Sequence, residues 1–278
     1  MKLSRIASFV SAATLTTALA LAGAGAAHAG ENTQTAGKPG GKAATTAYTA
    51  LGDSYSAGVG AGDYDDSSGD CKRSTKAYPA LWAAEHKPSK FTFAACSGAR
   101  TGDVLSGQLN SLDASTGLVS ISVGGNDAGF ADTMSTCVLK GEAACLSGVT
   151  KARTYIDETL PAQLDKVYST ISSKAPSAHV VVVGYPRFYK LGGSCSVGLS
   201  EKSRTAINGA ADEINTVTAK RAADHGFAFS DVSSQFTGHE ICSGDAWLHS
   251  VTMPVDESYH PTATGQAKGY LPAFSSAA

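Results

Sequence analysis

His179-Val180-Val181-Val182-Val183-Gly184 is the stretch on which the fold turns. Four β-branched residues in a row, with no polar alternation, suit a strand covered on both faces, as in a parallel sheet. On either side lie helical patterns. Ile156, Leu160, Leu164, Val167 and Ile171 recur at helical spacing before it, and Ile207, Ala211, Ile214 and Val217 after it. Gly226, following His225, is placed to end the second helix. Further out, Ala47–Leu51, Phe91–Phe93, Leu118–Val123 and Phe227–Phe229 read as four more short strands. Strand–helix–strand repetition predicts crossover connections and a five-stranded, mainly parallel sheet with helices on both faces. In such sheets the reactive groups gather beyond the carboxyl ends of the strands, which decides where to look for chemistry.

The chain has 278 residues. Lys2 and Arg5 precede the mostly apolar run Ile6–Leu21, and Ala27-His28-Ala29 offers a small-x-small cleavage site. That pattern predicts a secretory signal peptide over 1–29. Ala, Ser and Thr dilute the run below the roughly 20 strongly apolar residues of a membrane span. Residues 30–46, rich in Gly, Ala, Thr and Lys, cannot bury enough surface to offset ordering and read as a flexible leader. The domain is expected over 47–278. Formal net charge is −2, with no basic stripe, so a nucleic-acid partner is not expected.

Six cysteines remain: Cys71, Cys96, Cys137, Cys145, Cys195 and Cys242. An even count in an exported chain predicts three disulfides. Many connectivities are possible, and the spacing suggests neighbours in order: Cys71–Cys96, Cys137–Cys145 and Cys195–Cys242. A zinc site lacks any C-x-x-C pair or clustered histidines.

Three strand ends carry residues with an evident chemical use. The first runs into Gly52-Asp53-Ser54-Tyr55-Ser56-Ala57-Gly58, where Ser54 either presents a nucleophilic hydroxyl or caps the next helix. This is not the G-x-S-x-G elbow, because Ser56 stands at the second glycine. The second is followed by Ala95-Cys96-Ser97-Gly98-Ala99, where Gly98 can bring a backbone N–H close to a ligand or simply make a turn. The third ends in Gly124-Gly125-Asn126-Asp127, where the amide of Asn126 can donate to a developing oxyanion or act as a helix cap. Asp53 and Asp127 read as structural. Near the C-terminus stands Asp256-Glu257-Ser258-Tyr259-His260-Pro261. Proline after His260 places it at a helix entrance, where the helix dipole favours the neutral imidazole a general base needs.

Taken together and in this order, these residues resemble the SGNH (GDSL-type) hydrolases over nearly all of the mature chain. The three-disulfide pattern is similar to that of secreted actinobacterial lipases, esterases and phospholipases A in that family. The resemblance implies a flavodoxin-like three-layer α/β/α sandwich. It makes Ser54 the nucleophile and His260 its base, with an oxyanion hole of Ser54 N–H, Gly98 N–H and the Asn126 amide. The family pattern has aspartate three residues before the histidine, where this chain has Glu257. Two orienters for His260 therefore stay open, the Glu257 side chain and the backbone carbonyl of Ser258.

The expected activity is cofactor-free, metal-independent hydrolysis of a carboxylic, fatty-acyl ester outside the cell by a monomer. Phospholipase A action on glycerophospholipids, carbohydrate deacetylation, and a non-enzymatic binding protein on the same scaffold are the alternatives. The acidic run Asp63–Asp70 fails as an EF-hand, since Ser68 and Ser74 occupy the glycine and glutamate positions. Tyr78 and Trp82 read as partial core packing rather than a sugar platform.

Overall fold

A computed structural model describes residues 46–193, 195 and 198–278. The signal-peptide reading of 1–29, and the leader apart from Thr46, lie outside the described residues. The run Val180–Val183 is fully buried within strand β4 (His179–Val183), as its unbroken β-branched character requires. The other strands are β1 (Ala47–Gly52), β2 (Phe91–Phe93), β3 (Thr116–Ser122) and β5 (Ala228–Ser230). All pair in parallel, in the order β2-β1-β3-β4-β5. β1 leads to β2 on one side and the chain returns to β3 on the other, so the topological switch point lies between β1 and β3. That crevice is where the fold offers a site.

Helices flank the sheet. α1 (Ser54–Ala57) follows β1 directly, and α2 (Tyr78–His86) packs with α7 (Leu271–Ser275). α3 (Thr101–Ser106), α4 (Phe130–Glu158), α5 (Leu160–Lys174) and α6 (Glu201–Asp224) pack against one another. Tyr78 is fully buried, and Trp82 packs edge-on to Tyr48 and Phe274, as core residues do. Two departures from the sequence pattern stand out. The repeat Ile156–Ile171 is divided at Thr159, because Pro161 has no N–H to continue the helical ladder and instead starts α5. α4 is broken at Gly141 (φ 79°), and the Cys137–Cys145 disulfide spans the break.

All three disulfides join neighbours in sequence order, Cys71–Cys96, Cys137–Cys145 and Cys195–Cys242. Gly52 shows how tightly β1 and β3 approach at the switch point. Its φ is +122°, and a Cβ there would stand 2.4 Å from the carbonyl oxygen of Ser122. Only glycine fits.

Candidate active site

The chain leaves β1 at Gly52 and turns at once into α1. Asp53 caps that short helix, accepting from the Tyr55 N–H at 3.0 Å and from the Tyr185 hydroxyl at 2.6 Å. Burial pushes its pKa up from 3.8 to about 7, opposed by the hydrogen bonds from Tyr185 and Tyr55. Asp53 thus builds the turn that presents Ser54.

Ser54 and His260 lie 206 residues apart and meet at 2.7 Å between Oγ and Nε2. On the other side of the ring, Nδ1 lies 3.0 Å from the carbonyl oxygen of Ser258. A carbonyl can only accept, so Nδ1 carries the hydrogen and Nε2 presents its lone pair to the Ser54 hydroxyl. Desolvation lowers the His260 pKa from 6.5 to about 4, partly opposed by the Ser258 carbonyl and the nearby Asp256 charge. The imidazole is neutral at physiological pH.

Glu257 is placed elsewhere. Its carboxylate accepts from the Tyr64 hydroxyl at 2.7 Å, and that hydroxyl in turn accepts from the Gly60 N–H at 2.9 Å. Asp256 forms an ion pair with Lys72. Tyr55 donates to the carbonyl of Tyr259 at 2.7 Å, and one ring nitrogen of His249 donates to the Gly60 carbonyl at 2.8 Å. The histidine loop is therefore tied to the segment following Ser54 at four separate points.

The N–H groups of Ser54 and Gly98 carry no hydrogen bond among the described residues. Gly98 has φ +76°, the left-handed conformation that turns its N–H out of the Cys96–Ala99 turn. Asn126 donates one amide hydrogen to the Ala99 carbonyl at 3.0 Å, which fixes the side chain and leaves its second hydrogen free. Asp127 accepts from the backbone and hydroxyl of Thr101 at the start of α3. It ties the third strand end to the second.

Beside Ser54 opens a narrow cleft of about 70 Å³. Phe130, Met134 and Ile156 of α4, and Ile207, Ala211 and Ile214 of α6, contribute to an almost wholly apolar lining. Phe130 stacks on Phe188 at 4.9 Å between ring centroids. The sequence marked Ile156, Ile207, Ala211 and Ile214 only as helix stripes facing a core. A stripe lining a cleft has the same periodicity as one sealed against a neighbour, so the cleft itself left no signal. Tyr64 and Tyr185 also escaped notice, lying in no recognisable motif. Among the described residues, no three His, Cys, Asp or Glu side chains converge as a metal site.

A parallel sheet with these residues at its switch point defines an α/β ester hydrolase, and comparison with known proteins supplies the family. The chain belongs to the GDSL-like Lipase/Acylhydrolase family, whose model matches residues 50–268. It is 67% identical over 277 residues to a lipase of Streptomyces rimosus, covering 100% of both chains. It is 62% identical to Lipase 1 of Streptomyces coelicolor, again over the full length of both. Among solved structures, the extracellular lipase of Streptomyces rimosus superposes with a TM-score of 0.83 at 72% identity. Phospholipase A1 of Streptomyces albidoflavus does so with a TM-score of 0.83 at 62% identity. Each alignment covers 84% of this chain and 100% of the other. The protein is accordingly a carboxylic ester hydrolase.

Proposed function

We propose that this protein is a secreted serine esterase that cleaves fatty-acyl esters through an acyl-enzyme on Ser54. The observation that carries the acyl preference is the apolar lining of the cleft at Ser54, contributed by side chains of α4 and α6. An acetyl group alone would leave that surface uncovered, which argues against a carbohydrate deacetylase. Export is supported by the signal-like residues 1–29 and by three disulfides. No helix among the described residues is long and apolar enough to cross a membrane.

In this mechanism Ser54 Oγ attacks the ester carbonyl while His260 Nε2 takes its proton. The tetrahedral oxyanion is held by the N–H groups of Ser54 and Gly98 and by the free amide hydrogen of Asn126. His260, cationic at this point, is supported by the Ser258 carbonyl and the Asp256 charge. It returns the proton to the departing alkoxide. Water, deprotonated by the same Nε2, then attacks the acyl carbonyl; the bond to Ser54 Oγ breaks, Nε2 returns the proton to Oγ, and the acid is released.

A phospholipase A reading is favoured by one finding, the 62% identity to the Streptomyces albidoflavus phospholipase A1. Both readings share the site and differ in the alcohol that leaves. The decisive experiment compares acetyl to palmitoyl p-nitrophenyl esters, a triglyceride and a phosphatidylcholine, with wild type and Ser54→Ala. Wild type should prefer the longer acyl groups, and Ser54→Ala should retain less than about a hundredth of kcat/KM on each. A strict preference for acetyl would remove the fatty-acyl assignment. Retained activity in Ser54→Ala would remove the nucleophile.

A further inference from the structure

The segment that leads into His260 exposes apolar side chains of a kind the rest of the site does not explain. Val251, Met253 and Val255 are 57%, 84% and 67% exposed, three of the six large apolar residues with prominent exposure among the described residues. They fall within five positions of one loop. Scattered exposed apolar residues need no explanation, but a run on an active-site loop does.

The loop is held in place. The Thr252 N–H donates to Ser258 Oγ at 3.0 Å, the Glu257 N–H to the Pro254 carbonyl at 3.0 Å, and the Ser258 N–H to the Val255 carbonyl at 3.1 Å. Its two carboxylates are both engaged within the protein. Asp256 pairs with Lys72, and Glu257 accepts from Tyr64. The loop therefore keeps its acidic groups on protein partners while Val251, Met253 and Val255 remain in contact with water. Ser258, whose carbonyl accepts from His260 Nδ1, closes the same loop.

We infer that Val251, Met253 and Val255 form the surface by which the enzyme seats itself on a lipid aggregate, entering the boundary between head groups and acyl chains. The inference rests on the fatty-acyl ester reading, since an enzyme for such esters must take substrate from an aggregated phase. An amphipathic face binds a lipid interface in proportion to the apolar area it buries, with electrostatic help only from opposite charge. With a formal net charge of −2 the chain gains nothing from anionic lipid, so the apolar contribution dominates and zwitterionic vesicles suffice. The position of the loop also matters. Three residues separate Val255 from Tyr259, whose neighbour His260 holds Ser54. Seating the loop would bring the lipid surface to the site itself.

The test uses phosphatidylcholine vesicles and the full mature chain in a Ser54→Ala background, so that binding is measured without hydrolysis. Val251→Ser, Met253→Ser and Val255→Ser combined should weaken partitioning to the vesicles by about tenfold or more. In the active background the same triple variant should hydrolyse a water-soluble short-chain ester within about twofold of wild type, because no substituted residue touches Ser54, His260 or the oxyanion donors. Separately, Met253→Trp should bind vesicles at least as tightly as its parent, with a blue shift of fluorescence on binding, as a ring at the interface gives. Unchanged partitioning of the triple variant overturns the inference, as does an unshifted Met253→Trp. Should the triple variant lose short-ester turnover through loop damage, Met253→Trp still decides. Failure of the esterase reading shows independently, as absence of ester turnover in wild type.

Discussion

His260 donates from Nδ1 to the carbonyl of Ser258, two residues back, at 3.0 Å. A backbone carbonyl sets the same tautomer that a triad carboxylate would, without placing a charge beside the ring. Glu257, at the position where the family pattern has aspartate, instead reaches Tyr64. Glu257→Gln keeps the length of the side chain and an oxygen that can still accept from Tyr64. It should therefore lower kcat by less than about tenfold, against the roughly 10⁴-fold loss typical of removing a triad carboxylate. Steady-state kinetics on a soluble ester check this. A loss of triad size, with the fold intact by circular dichroism, would return Glu257 to the imidazole.

Of the three oxyanion donors we propose, Asn126 is the one side chain, so it can be removed without disturbing the backbone. Its hydrogen bond to the Ala99 carbonyl at 3.0 Å holds the side-chain amide in place. Asn126→Ala should lower kcat by about 10²- to 10³-fold, with KM little changed. A rise in KM at constant kcat would make Asn126 a ground-state binding residue.

The reach of sequence reasoning differed from element to element. The β-branched run of β4 and the motifs at the ends of β1 and β3 were legible because burial on both faces and tight turns restrict composition at those places. Each of the five strands was located to within two residues of its observed bounds. The division at Thr159 was hidden because apolar periodicity carries on across it, although Pro161 was the available clue. The orienter of His260 was narrowed only to Glu257 or Ser258, since a backbone carbonyl leaves no trace in residue type. The clamp Gly60–Tyr64–Glu257 joins residues 193 positions apart in its longer step, and nothing local encodes that contact.

The neutral, desolvated His260 has a consequence for pH. A general base works only while unprotonated, so activity is lost as pH falls through its pKa. With that value near 4, kcat/KM should stay level from neutrality to about pH 5 and fall below it. An ordinary solvent-exposed histidine would instead give an acid limb near 6.5. Stability follows the same group with its own window. The folded pKa lies below the unfolded value of 6.5, so the unfolded chain binds the extra proton first. The His260 contribution to stability is complete above pH 6.5 and is lost as pH falls towards 4. A pH–rate profile on a non-ionising ester, with thermal unfolding over the same range, separates the two effects. An acid limb at 6.5 would show that the ring is solvated in the working enzyme.

The cleft between α4 and α6 makes a prediction about chain length. Ala211 sits on α6 in the cleft lining and is only 5% exposed, so a larger side chain there must enter either the cleft or the surrounding core. Ala211→Phe places a ring in the cleft that, on the proposed reading, takes the acyl chain. The kcat/KM for palmitoyl esters should fall by about tenfold or more, while acetyl ester turnover changes by less than about threefold. If the ring is driven into the core instead, overpacking costs on the order of 1–3 kcal/mol and both substrates suffer together. Thermal unfolding of the variant tells these cases apart. Ala211→Val, intermediate in volume, should give an intermediate loss confined to the longest chains. A variant that is stable and still turns over palmitoyl esters like wild type would show that the acyl chain runs elsewhere.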